Sequence, residues 1–329
     1  MSSILLLTRP GSVVDFDNIQ IKIRERSFLD LMDLGLQVFR AHLPRFLLAF
    51  ACGAVPLQLL NHFWLRDLVA VNFREGEITA TETWQLIGFI LCVAQMVFIE
   101  SQLAGIVATK YLGLVLFQEE PRILPVLRQV GRTGWRLLWC QGLTRGVIVA
   151  GVLAAWSQSS NWSFIWLGSL TCLIVLIRAL RPFLNEIVLL ENNPLLATKA
   201  HSLTIGRRSY RLHAPSSGML IGRWFCSAII GIALSISVAG LFLFVSGVMF
   251  QQWFPGPFVI QIGVPLAMWI VAAYLTVVRF LNYLDLRIRD EGWEVELRMR
   301  AEAARLEQQM TPGLPVPGSS ALNQLNRVS

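Results

Sequence analysis

What most restricts the fold of this chain is the recurrence of apolar stretches long enough to cross a lipid bilayer. The first, FLLAFACGAVPLQLLNHFWL, covers residues 46–65, and the others cover 84–107, 137–156, 162–181, 220–250 and 258–284. A helix needs ~20 residues to cross ~30 Å of hydrocarbon. In lipid every backbone amide must be satisfied, and barrel strands would alternate in polarity, so continuous apolar runs predict helices. Pro56 and Pro265 fall within two of the runs, where a membrane helix tolerates a kink. Composition agrees: the chain is 54% hydrophobic and 15% charged, with a mean hydropathy of +0.56, whereas soluble domains carry roughly 25% charged residues. The expected fold is all-α, a polytopic membrane protein with about six transmembrane helices and cytoplasmic amphipathic helices.

The net charge of +7 would suggest nucleic acid in a soluble protein. In a membrane chain, Lys and Arg collect on the cytoplasmic side instead. The loop after the first run holds Arg66 and Arg74 against Asp67, Glu75, Glu77 and Glu82, while SQSSN after the third and QQWFPGP after the fifth carry no charge. The basic residues gather in the other loops, at span ends and at the termini. This asymmetry predicts a multi-pass protein of the cytoplasmic (inner) membrane with both termini in the cytoplasm, and it places Trp64, Trp84, Trp156, Trp162 and Trp253 at the outer interface. The N-terminus, MSSILLLTRPG, has no basic n-region and only a short apolar run, so it is expected as a cytoplasmic segment and not a signal peptide.

Four regions follow. Residues 1–26 form the N-terminal segment. Residues 27–284 form the membrane domain with an amphipathic lead-in helix, for which Ser27 is the expected N-cap. Phe28, Leu31, Met32, Gly35, Leu36, Phe39 and Leu43 recur there at helical spacing. That helix either lies in the membrane plane or packs on the bundle. Residues 285–310 form a charged cytoplasmic helix, in which Glu294–Arg298 and Glu296–Arg300 are favourable i,i+4 pairs. Residues 311–329, rich in Pro, Gly and Ser, form a disordered tail.

The sequence offers little chemistry. The five cysteines, Cys52, Cys92, Cys140, Cys172 and Cys226, stand singly in apolar runs and read as small buried apolar side chains. His42, His62, His201 and His213 have no metal-pair spacing, and HExxH, GxSxG and P-loop motifs are absent. No cofactor or metal is expected, and no enzymatic activity. Glu100 and Arg145 lie inside the second and third runs, roughly 10–12 Å deep at 1.5 Å per residue, and form a candidate intramembrane polar pair. Arg128, Arg132 and Arg136, spaced four apart, together with Arg207, Arg208 and Arg211, are candidate contacts for lipid head groups.

The segment YLDLRIRDEGWEVELRMR mixes signs as the last run leaves the lipid. It resembles the end of the bacterial six-span membrane domain fused to some glycerophosphoryl diester phosphodiesterases, and of that domain's stand-alone relatives. Tyr283, Asp285, Arg287, Arg289, Glu291, Gly292 and Glu296 match the pattern. FLDLMDLGLQVFRAHLPRFL and RPFLNEIVLLENNPLLATKAHSLTIGRR resemble the family's pre-span helix and its segment after span four. The resemblance implies a membrane domain alone, since the hydrolase is a separate soluble barrel that nothing in this chain encodes. The functional expectation is a non-catalytic scaffold or accessory subunit that docks partner proteins or lipid head groups on the cytoplasmic face, through those seven residues among others. The alternative is a small transporter or lipid-handling protein built on Glu100 and Arg145.

Overall fold

The structure, a computed structural model, describes residues 27–65, 80–115, 123–137, 163–191, 204–251, 253, 256 and 258–290. Every regular element among them is helical: α1 (Phe28–Ala41), α2 (Leu43–Leu65), α3 (Ala80–Val115), α4 (Ile123–Leu137), α5 (Ser163–Leu180), α6 (Leu184–Leu190), α7 (Ile205–His213), α8 (Ser217–Phe250) and α9 (Val264–Asp290), the last preceded by a π-helical turn, Val259–Gly263. Four helical stretches, Leu43–Leu65, Thr83–Val115, Ser217–Phe250 and Val259–Arg289, are long and apolar enough to cross a membrane. They answer to the first, second, fifth and sixth runs. The fourth run appears as α5. The third, apart from Leu137, lies outside the described residues, as do the N-terminal segment, the charged helix beyond Asp290 and the tail.

α1 starts where the sequence places it. Ser27 accepts a hydrogen bond from Asp30 N–H and Asp30 accepts one from Ser27 N–H, each at 3.2 Å, a reciprocal capping box. Replacing Ser27 by Ala should cost about 1 kcal/mol. Amide exchange across α1 would show it as faster exchange in the first turn. The helix stops at His42 because Pro44 has no N–H to continue the ladder. α1 buries Leu31, Met32 and Gly35. Gly35 lies against Val278 and Leu281 of α9, and Tyr274 donates to Met32 O at 3.0 Å. α1 thus leans on the C-terminal half of α9, with Asp30, Asp33, Gln37 and Arg40 exposed.

α9 is the axis of the bundle. Of its apolar window 61% is buried, against 44% for α3, 22% for α2 and 6% for α8. It packs on α1, α2, α3 and α8. α2 and α3 make the most extensive pairing, crossing where Gly53 meets Ala104. At 1.5 Å per residue, the 36 residues of α3 and 34 of α8 give lengths of about 50 Å, well beyond ~30 Å of hydrocarbon. α8 ends at Gln251, the one described non-glycine residue with positive φ (55°), a left-handed cap. Pro56 sits inside α2, and Pro265 directly follows the π turn within the continuous helical stretch Val259–Arg289, where its missing N–H interrupts the ladder. Trp84 and Trp253 are exposed and Trp64 half-buried, all at the end opposite α1.

α9 runs on to Asp290, past the expected end of the last apolar run at residue 284, and Asp285 is paired within the bundle. One expectation needs correcting here: the cysteines are not uniformly buried. Cys92 is, but Cys52, Cys172 and Cys226 lie on the outside of apolar helices, since in lipid an apolar side chain gains nothing from facing inward.

Candidate functional site

The end of the bundle that carries α1 also carries a concentration of buried charge, and α6 organises it. Seven residues cannot hold a helix by propensity alone, so α6 depends on its contacts. It buries Asn185, Glu186, Ile187, Val188 and Leu189. Ile187, Val188 and Leu189 join an apolar cluster with Phe183, Leu212 and Tyr283. Asn185 Nδ2 donates to Gln102 O of α3 at 2.8 Å and to Gln102 Oε1 at 3.0 Å. Lys110 of α3 donates to Leu189 O at 3.0 Å, a cation at the C-terminal end of α6. Glu186 is fully buried, and such a carboxylate needs a cation. Arg279 of α9 supplies it, with Nε 2.7 Å from Oε1.

A second carboxylate closes the same segment. Glu191 takes three hydrogen bonds from Arg208: Nε at 2.9 and 3.1 Å to the two oxygens, and Nη2 at 3.1 Å. Tyr283 of α9 donates its hydroxyl to Glu191 Oε1 at 2.8 Å. Thr204 caps α7 and so fixes where Arg208 points. At the other end of α7, His213 Nδ1 lies 2.6 Å from Ser209 O, which can only accept. The proton is therefore on Nδ1, and Nε2 accepts from Phe183 N–H at 3.4 Å. The neighbouring Ser209 hydroxyl, 3.4 Å from Nδ1, has no base there to activate it.

The third carboxylate, Asp285, meets Arg223 of α8 at 2.9 Å and Arg289 one turn on at 3.3 Å, and Arg223 also donates to Asn282 at 3.1 Å. Arg178 of α5, only 2% exposed, donates to the carbonyls of Phe98 and Ile99 and lies 4.4 Å from the centroid of the Phe98 ring. These contacts tie α5, α6, α7 and α8 to α3 and α9. Each carboxylate is neutralised by an arginine from another part of the chain.

Of the seven signature residues, Tyr283 and Asp285 face inward, 0% and 8% exposed, and are engaged as just described. The expectation that they meet a partner gives way to a bundle-locking role, because the acids and bases that satisfy them lie within the chain. Arg287 is half-buried and Arg289 exposed, while Glu291, Gly292 and Glu296 lie outside the described residues. Arg208 is likewise no head-group contact: Glu191 holds it, with 10% of its side chain exposed. Arg207 and Arg211, on the other face of α7, are exposed. Arg128 is exposed on α4, beside Leu124, Pro125 and Gln129, which with it line a shallow hollow of ≈ 240 Å³. The side chains of Arg132 and Arg136 fall outside the described set. Glu100 is 3% exposed and accepts from Asn61 Nδ2 of α2 at 2.7 Å, while Arg145 lies outside the described residues.

Sequence reading passed over Glu186, Glu191, Arg178 and Arg223. A signal was there: LNEIVLLE sets two carboxylates among Leu, Ile and Val, and such carboxylates are seldom solvated. Among the described residues no group of three His, Cys, Asp or Glu is arranged to hold a metal. What the arrangement does chemically is neutralise and fasten. The chain matches no family model, no curated protein and no solved structure.

Proposed function

We propose that this chain is a non-catalytic integral membrane scaffold that docks anionic lipid head groups on the face carrying α1, α4, α6 and α7. The observation that carries this reading is the division of the arginines at that end. Arg208, Arg223 and Arg279 are spent on internal carboxylates. Arg128, Arg207 and Arg211 are exposed and make no ion pair among the described residues. Buried pairs hold the collar rigid, and free guanidiniums suit phosphate.

On this reading that face is cytoplasmic, six helices span the inner membrane, and α1, α4 and α7 lie at the interface as amphipathic helices. The charged segment beyond α9 remains available for a protein partner. The chain is then a stand-alone counterpart of the membrane domain fused to glycerophosphoryl diester phosphodiesterases, without the hydrolase. A conduit through Glu100 has less support: the cleft nearest to it measures ≈ 10 Å³, room for about one water.

The test is lipid retention. The protein is exchanged into detergent, offered phosphatidylglycerol or phosphatidylcholine, and weighed intact by native mass spectrometry. With about 1 kcal/mol per arginine near an anionic surface, replacing Arg128, Arg207 and Arg211 together by Ala should weaken phosphatidylglycerol retention roughly a hundredfold. Phosphatidylcholine should be unaffected. Equal retention of phosphatidylglycerol by the triple variant would remove the head-group reading.

A further inference from the structure

The feature the charged collar does not absorb is Glu100, and it lies next to a cleft that opens at the other end of the bundle. Asn61, Gln58, His62 and Leu65 of α2, Phe89 and Val93 of α3, and Gln261 and Pro265 at the start of α9 line that cleft. Half of this lining is polar or ionisable, inside helices that are otherwise apolar. His62 is exposed, so the cleft communicates with that surface. Its floor is Asn61, 2% exposed, whose Nδ2 holds Glu100 Oε2 at 2.7 Å and whose Oδ1 has no hydrogen-bond partner among the described residues. Gln261 belongs to the π turn, and local π geometry recurs where a helix is bent to serve a site. A line of polar groups therefore runs from an exposed imidazole to a buried carboxyl.

We infer that Glu100 is a reversible proton-binding site, loaded and unloaded through this cleft from the end opposite α1. Glu100 makes no ion pair among the described residues. A carboxylate without a cation is costly within a bilayer, whereas the neutral acid is tolerated there. Among the described residues, the first cations of α5 and α9 are committed elsewhere. Arg178 of α5 donates to the carbonyls of Phe98 and Ile99, the two residues that precede Glu100. On α9, Tyr274 donates to Met32 O, and Arg279, the first charged side chain of that helix, is bound to Glu186. His62 of α2 lines the cleft's opening. The step itself is simple: a hydronium ion reaching the site through the cleft gives a proton to a Glu100 oxygen and becomes water, and the reverse transfer returns the proton to the bath. Asn61 meets either form, its Nδ2 donating to the carboxylate and its Oδ1 able to accept from the acid after an amide rotation. This inference stands apart from head-group docking, which concerns the opposite face.

Infrared spectroscopy of the protein reconstituted in phosphatidylcholine vesicles tests it. The expected result is a protonated-carboxyl C=O band that is present in the wild type, lost in Glu100→Gln and shifted on transfer to D2O. Carbodiimide labelling of the wild type, read by peptide mass spectrometry, should modify Glu100 and fall as the bath is made alkaline. That arm requires no variant to fold. Asn61→Leu should slow the isotope shift without removing the band. An absent Glu100-dependent band, with no carbodiimide label, would mean an ionised and paired carboxylate and would overturn the proposal. A band that never responds to D2O would overturn it too, since the acid would then be sealed from the cleft.

Discussion

Replacing Arg279 by Leu is expected to destabilise the protein by about 3–5 kcal/mol, the largest loss of any single change at the charged end. Glu186 has no exposed surface, and Arg279 is the cation that meets it, at 2.7 Å. Removing the arginine strands a carboxylate where neither water nor another base reaches it. The two charges are not needed as such. A buried ion pair replaced whole by apolar groups of similar volume is often neutral or better, so the double change Glu186→Leu with Arg279→Leu should recover most of the loss. Denaturant unfolding in detergent of the wild type, both single variants and the double variant separates the two effects. If the double variant is as unstable as Arg279→Leu, the arginine acts through its packing beside Gly105 and Thr276, and the electrostatic account of the collar is wrong.

The same pair shows why the site was less legible than the fold. Continuous apolar runs announce helices locally, so α2, α3, α8 and α9 could be read from single windows of sequence. Ser27 and Asp30 sit three residues apart, and the start of α1 was equally local. The buried pairs are not local. Arg279 meets Glu186 at a separation of 93 residues, and Arg223 meets Asp285 at 62. A charge next to an apolar run looks the same in sequence whether it marks the exit from lipid or lies inside the bundle. Asp285 and Tyr283 therefore read as a surface signature while being part of the core. Arg208 read as one of a basic cluster because Glu191, its partner, lies 17 residues back in the sequence. Glu100 was recognisable as a charge out of place, but its partner Asn61 was not, since a lone amide near the end of a span carries no pattern.

Replacing Gly53 by Ala, a change of one methyl group, should be unexpectedly damaging. A Cβ at this position would lie 2.6 Å from Ala104 O, 2.7 Å from Ala104 Cα and 3.0 Å from Ala104 C. These are backbone atoms of α3, so no side-chain rotation relieves the clash and the two helices must move apart. Membrane helices gain their association from such close approaches between small residues, because lipid offers no hydrophobic drive for pairing. The expected cost is at the upper end of the ~1–3 kcal/mol range for overpacking, despite the ~1 kcal/mol by which Ala favours a helix over Gly. Val or Leu at the same position should prevent accumulation of folded protein. Gly88 of α3 is the control: a Cβ there meets nothing within 4 Å, so Gly88→Ala should be neutral or mildly stabilising. The separation has a second, specific consequence. Asn61 lies eight residues beyond Gly53 on the same helix, two turns up, and a displaced α2 would draw it from Glu100. Gly53→Ala should therefore alter the Glu100 carboxyl band as well as lower the unfolding midpoint, and Gly88→Ala should do neither. If the two alanine variants prove equally stable, α2 and α3 do not cross as closely as described, and the floor of the cleft is misplaced with them.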